Sequence, residues 1–269
     1  MDLTLTTTWN LRGELPRLQR LLPRMQEVYN YILAVIPPES IIGEAGMEQV
    51  MTIKKLGGLQ VCQTSNWSEG RYIALQRSLA AACTHIQYAD MDRILRWVET
   101  RPDEWRHAAE MVTRCDCLII GRSPAAYRTH PQALTQTEAI SNRVVSHFLG
   151  RSMDVSAGSK GFSREAAEYL VANTIPSRAL GTDAEWPILL HRAGFHLDYI
   201  EVDGLDWESA DRYREKAADA HSQRALAEAY DADPQHWASR VEVAMEIVDM
   251  AVETISRSMD ESSDSKPIR

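Results

Sequence analysis

Residues 70–97, GRYIALQRSLAAACTHIQYADMDRILRW, decide how the rest of the chain is read. Tyr72, Leu75, Leu79 and Ala82 recur at helical spacing, so one face of the first part can bury itself. Residues 85–89 are short, contain Ile86 and Tyr88, and break the helical period, which predicts a strand running into Asp90, Met91 and Asp92. In extended backbone, side chains two apart point to the same side, so Asp90 and Asp92 can converge on one small volume. Open α/β sheets bind ligands just beyond the carboxyl ends of their strands. Two hard oxygen ligands there suit Mg²⁺ or Mn²⁺, which fill the rest of their shell with water and substrate phosphate. Either carboxylate can equally serve only as N-cap of a helix beginning near Arg93, and the tripeptide alone leaves both readings open.

Composition limits what surrounds this stretch. A chain of 269 residues, 44% hydrophobic and 25% charged, is an ordinary soluble globular protein with room for one sizeable α/β domain or two small ones. A formal net charge of -9 excludes broad binding of nucleic acid, and an anionic substrate needs a local cation. No apolar run approaches the roughly 20 residues that cross a bilayer, and the first residues lack the basic and apolar blocks of a secretion signal, so the expectation is a cytoplasmic protein without a transmembrane segment. Cys62, Cys83, Cys115 and Cys117 show no CxxC pair, which reads as reduced thiols without structural zinc.

Upstream, residues 3–8 are a β-rich run of Leu and Thr followed by Trp9-Asn10. Leu15, Leu18, Leu22, Met25 and Val28 then mark a helix, with Pro16 in its first turn and Pro23 as a kink. Residues 31–36 form a continuous apolar strand stopped by Pro37-Pro38, and residues 49–54 and 58–64 read as two further strands. Downstream, a helix over 102–113 leads to a strand over 117–120 that exits at Gly121-Arg122-Ser123, where Arg122 is either a site cation or a surface charge. A helix over 137–149 precedes the glycine loop 158–164, whose Ser163 suits an N-cap. Asp183 and Glu185 stand before a helix over 188–193, either as caps or as catalytic groups, with His191 and His196 at its end and a strand over 197–202 after it. The reading divides the chain at 202: a mostly polar helix over 209–230, with Trp207 as a packing residue, leads into a C-terminal helical extension reaching 257. Asp233-Pro234 start its amphipathic helix, whose face of Trp237, Val241, Ala244, Val248, Ala251 and Ile255 must dock on the sheet or make a homodimer. The Ser- and Asp-rich tail 258–269 is expected to be disordered.

Taken in order, Thr7-Thr8-Trp9-Asn10, the helix starting at Gly70 with Ala74, Asp90-Met91-Asp92, Asp154 with Gly158-Ser159-Lys160-Gly161-Phe162-Ser163-Arg164, and Asp183-Ala184-Glu185 with Arg192-Ala193-Gly194 resemble glycosyltransferase family 2 over residues 3–202. The likeness is greatest to the soluble domain of polyprenyl-phosphate sugar transferases. It implies a GT-A fold: an α/β, Rossmann-like, mixed but mostly parallel sheet flanked by helices, here with C-terminal helices. It also implies a nucleotide-diphosphate sugar as donor, Mn²⁺ or Mg²⁺, and inverting transfer to an unknown acceptor hydroxyl. The resemblance places Thr7, Thr8, Trp9 and Asn10 on the nucleotide, with Trp9 stacking on the base. Glu39, Arg71 and Asp90 join them on the donor, Asp90 and Asp92 hold the metal, and Asp183 takes the proton from the acceptor. Arg122 and Lys160 contact phosphate, while Gly158, Phe162, Glu185 and Trp186 line the substrate. The chain departs from the family pattern at Pro37-Pro38-Glu39-Ser40, at Leu75-Gln76 and at Thr182-Asp183, which blurs base contact, donor choice and base assignment. Those departures leave open a retaining reaction with His191 or His196 in the metal shell; the competing readings are a nucleotidyltransferase, for which Leu11-Arg12-Gly13-Glu14 is a poor glycine loop, and a non-catalytic sugar-nucleotide-binding subunit.

Overall fold

In the computed structural model, residues 2–176 and 180–257 are described. The Leu- and Thr-rich start forms β1 (Leu3–Thr8), and the proline-bearing apolar helix is α1 (Leu15–Gln26). The apolar run before Pro37 is β2 (Tyr31–Ile36), buried over nearly its whole length because neighbouring strands and helices cover both faces. Next come α2 (Glu39–Leu56), β3 (Gln60–Gln63), α3 (Gly70–Ser78), β4 (His85–Ala89) and α4 (Met91–Thr100). The second half runs α5 (Pro102–Val112), β5 (Cys117–Arg122), α6 (Pro124–Tyr127), α7 (Gln132–Leu149), β6 (Ser159–Ser163), α8 (Arg164–Asn173), α9 (Thr182–Arg192), β7 (Leu197–Val202), α10 (Ala220–Asp231) and α11 (Pro234–Ser256).

The strands form one sheet in the order β3-β2-β1-β4-β6-β5-β7. Only β6 runs against its neighbours, so the sheet is mixed and mostly parallel, as expected. Parallel ladders need helical crossovers on the faces. Accordingly one core packs Leu3, Leu5, Trp97 and Trp105 on one side, and a second packs Ile86, Tyr88, Phe162 and Trp186 on the other.

Several local expectations are corrected. The predicted strand over 49–54 lies inside α2, which bends at Gly43 (φ 63) and buries Val50 and Ile53 one helical turn apart. The loop expected around Gly158 contains β6, a strand too polar and too short to show alternation. Its Gly161 is required, because a Cβ there would sit 2.4 Å from the Val112 side chain on α5. On α3 the buried face is Arg71, Ala74, Leu75 and Ser78, whereas Ala82 is exposed. α9 begins at Thr182, six residues earlier than predicted, and carries Pro187 inside it. The polar helix predicted over 209–230 is a 3₁₀ turn (Glu208–Asp211), an irregular stretch and then α10.

That irregular stretch is tied down by charge. Asp211 accepts from Arg96 at 2.7 Å, pairs with Arg17 at 3.0 Å, and accepts the Ala218 N–H at 2.7 Å. α11 docks on α7 and α9 through Ala244, Ile247, Met250, Ala251 and Thr254, a face rotated from the predicted one, and leaves Val241, Met245 and Val252 exposed. The tail 258–269 lies outside the described residues. Among those described, no helix is long and apolar enough to cross a membrane.

Candidate functional site

The carboxyl ends of β1 and β4 lie side by side, which puts Thr8 next to Asp90. Oδ1 of Asp90 accepts from Thr8 Oγ1 at 2.9 Å and from the Tyr88 hydroxyl at 2.6 Å. Oδ2 faces Arg71 at 3.3 Å and Arg93 at 3.7 Å. Asp90 occupies the N-cap position of α4 but caps no backbone amide, so its side chain is turned wholly to these partners. Burial pushes its pKa up, but Arg71, then Arg93, then the two hydroxyl bonds outweigh that and hold it below the usual carboxylate range. Gly158 makes room: its φ is +68°, and a Cβ there would lie 3.0 Å from Asp90 Oδ2.

Arg71 also reaches Asp183, at 2.9 Å. Asp183 sits in the first turn of α9, and its other oxygen takes the Lys160 ammonium at 2.6 Å. Burial works to raise its pKa, yet Arg71 and Lys160 hold it low. One guanidinium thus bridges the acid at the end of β4 and the acid at the start of α9.

Asp92 has no such neutralisation. It lies in the first turn of α4, where Oδ1 accepts only the Arg93 N–H at 3.0 Å. Its carboxyl is pushed up to about 7, first by burial and then by the charges of Glu208 and Asp90. Glu208 comes from the 3₁₀ turn beyond β7; its Oε1 is 3.8 Å from Arg93, and its buried Oε2 has no hydrogen-bond partner. A buried carboxylate oxygen without a partner is costly, which leaves Glu208 Oε2 open to a cation.

These groups line a cleft of about 300 Å³. Of the residues expected from the sequence, Thr8, Trp9, Asn10, Arg71, Asp90, Asp92 and Asp183 line it. Trp9 is nevertheless 1% exposed and donates its indole N–H to Glu14, so little of its ring is free to stack. Thr7 is buried in the sheet, and Glu39 lies exposed at the start of α2, away from the cleft. Lys160 is buried on β6 and spends its ammonium on Asp183 and the Val155 carbonyl. Arg122 is buried between Glu138 and Asp154, both at 2.7 Å. Phe162 and Trp186 stack edge to face in the core at 5.6 Å, and Glu185 is buried against Arg257 at 2.8 Å. Gly158 leaves room for Asp90 and does not line the cleft. His191 and His196 are exposed and lie outside it.

Arg12, Trp67, Arg93, Glu208 and Arg240 are among the cleft residues that escape the sequence reading. Arg93 follows the acid pair directly, and Glu208 opens the 3₁₀ turn just past a strand exit, so both carried a signal. Arg240, on α11, carried none. Among the described residues, no three His, Cys, Asp or Glu side chains gather closely enough to hold a metal ion by themselves.

No protein-family model matches the chain, and no curated protein matches it either. Solved structures do. The crystal structure of residues 1–349 of S. aureus TarS superposes with a TM-score of 0.50 and 11% identity, over 97% of this chain and 77% of that one. Glucosyl-3-phosphoglycerate synthase from Mycobacterium tuberculosis, solved with Mn²⁺, UDP-glucose and phosphoglyceric acid, superposes at 0.49 with 12% identity over 90% of this chain and 80% of its own. A mannosyltransferase from Pyrobaculum calidifontis, solved with GDP-mannose and Mn²⁺, gives 0.47 with 12% identity over 97% and 77%.

Proposed function

We propose that this chain, which has the GT-A fold, is an enzyme that moves a sugar from a nucleotide-diphosphate sugar to an acceptor hydroxyl. The observation that carries the reading is the pair of carboxylates Asp92, whose pKa is raised to about 7, and Glu208, whose buried Oε2 has no partner, lining a cleft at the ends of β1 and β4. A divalent cation fits these two better than Asp90, whose oxygens are already taken by two hydroxyls and two guanidinia. Mn²⁺ and Mg²⁺ are content with one or two carboxylates when substrate phosphate supplies more ligands. Bound there, the ion would offset the charge of the diphosphate and stabilise it as a leaving group.

The remaining work falls to the chain itself. Arg12, Arg93 and Arg71 line the cleft as guanidinia able to hold phosphate oxygens, and Thr8, Asn10 and the half-buried Trp67 face the same hollow. Asp183 is ionised and would serve as the base in an inverting transfer, but both of its oxygens are held by cations. Donor phosphate drawing Arg71 away would relieve Asp183 of one of them, raise its pKa and strengthen it as a base. That double restraint on Asp183 is also what favours a second reading, a non-catalytic sugar-nucleotide-binding subunit. Metal-dependent release of nucleoside diphosphate from a sugar nucleotide separates the two. A cytoplasmic location and a homodimer through the exposed Val241, Met245 and Val252 of α11 belong to the same proposal.

The decisive test is a thermal-shift panel of UDP-, GDP- and TDP-sugars with and without Mn²⁺. A ligand at 100 times its dissociation constant stabilises by about 2.7 kcal/mol. Asp92→Asn is expected to abolish the Mn²⁺-dependent part of the shift; a shift that survives the substitution rejects the metal assignment.

A further inference from the structure

Beyond the cleft, a second and wider hollow of about 950 Å³ opens on the far side of α7. Separate elements bring arginines to it: Arg122 from the end of β5, Arg128 just after α6, Arg143 from α7 and Arg151 from the loop that follows. Arg122 forms the floor and is already neutralised by Glu138 and Asp154, with its guanidinium 4.6 Å from the Tyr127 ring centroid. The rim differs. Arg128 and Arg143 are exposed and make no ion pair among the described residues. Arg151 gives one N–H to the Leu197 carbonyl at 3.2 Å, and its guanidinium stands 5.9 Å from the centroid of Tyr199.

Against these three cations the rim offers one carboxylate, Glu201, which accepts from the Tyr199 hydroxyl at 3.2 Å. Asp154 is spent below, on Arg122 and on the Asn142 amide. A concave, net-positive surface on a chain of net charge -9 concentrates field where anions otherwise meet repulsion. Arginine forks are also the side chains best matched to phosphate oxygens.

One layer of side chains separates this groove from the cleft. Glu138 faces the cleft, and Asn142, one turn further along α7, faces the groove. Asn142 Oδ1 in turn accepts the N–H and hydroxyl of Ser156, which lines the cleft.

We propose that this groove is an anion site that binds a phosphate-bearing group through Arg128, Arg143 and Arg151. The phosphate is one borne by a sugar phosphate; a free polyphosphate offers the same chemistry. The test is calorimetric titration with glucose 6-phosphate and with inorganic tripolyphosphate, each with and without UDP. Wild type is compared with Arg143→Glu/Arg151→Glu and with Arg143→Lys/Arg151→Lys, all three on the full chain. Both glutamates replace exposed side chains, and an unchanged melting temperature confirms that the variant folds. Binding is expected to weaken at least tenfold in the glutamate variant and to persist in the lysine variant, whether or not UDP is present. Greater loss for glucose 6-phosphate identifies a sugar phosphate as the source, and binding of tripolyphosphate alone identifies a free polyanion. Wild type that binds neither probe, or a glutamate variant that binds both as wild type does, overturns the proposal. UDP that itself fails to bind while the groove still binds its probes counts against the transferase reading and leaves the groove assignment standing.

Discussion

Arg71 carries more of the site than any other side chain, because its guanidinium is shared by Asp90 and Asp183 in a place with little water. Removing one partner of a buried ion pair leaves the other charge unpaired, at about 3–5 kcal/mol. Arg71→Met is therefore expected to lower stability by that order in urea denaturation, and a midpoint equal to wild type would show that the bridge contributes nothing. Asp92 behaves in the opposite sense. Its folded pKa, about 7, lies above the ordinary carboxylate value, so its contribution to stability is present in acid and is lost as pH rises through 7. Without metal, Asp92→Asn should melt higher than wild type at pH 8 and no differently near pH 4. Mn²⁺ must displace that proton, so the metal-induced shift in wild type should grow between pH 6 and 8. At this scale the placement of Thr8, Asp90 and Asp92 on the cleft was legible from their strand exits. Lys160, Phe162 and Trp186 were not, because a motif gives the residue and not the side of the sheet on which it falls.

Elements fix those residues in turn. The 3₁₀ turn that brings Glu208 to the cleft has Asp211 on its other side, locked to Arg17 and Arg96. Asp211→Ala should free the segment between β7 and α10, seen as faster proteolysis there and at least a tenfold weaker response to Mn²⁺; unchanged proteolysis would mean the lock is ornamental. Gly158→Ala meets two obstacles, a φ of +68° and the Asp90 carboxylate at 3.0 Å. It should destabilise by about 1–2 kcal/mol from the backbone alone and also weaken donor binding. The β1-α1-β2 start could be read because its alternating Leu-Thr run gives way to helical apolar spacing and then to a continuous apolar run. α2 and β6 could not. Val50 and Ile53 with two nearby glycines mimic a strand, and Ser159–Ser163 owes its place to ladders on both sides rather than to its own composition.

For the whole molecule, the depressed pKa values of Asp90 and Asp183 set the response to acid. Their contribution is present above the ordinary carboxylate range and is lost as pH falls through their lowered values. Melting temperature should therefore drop steeply below about pH 4, and less steeply in Asp183→Asn; parallel profiles would reject the account. The general architecture was legible because alternating strand and helix patterns permit few arrangements. The docking of α11 against α7 and α9 was not, since an apolar helical face names no partner.

β6 has one more implication. It is the reversed strand that joins the β3-β2-β1-β4 half of the sheet to β5 and β7. Its residues follow β4 by some seventy positions and must pass the ribosome before the two halves can zip together. A nascent chain stopped short of Ser159 would carry the bare flank of β4, open to pairing with another chain. Helper proteins that shield such flanks during synthesis should matter most in that interval.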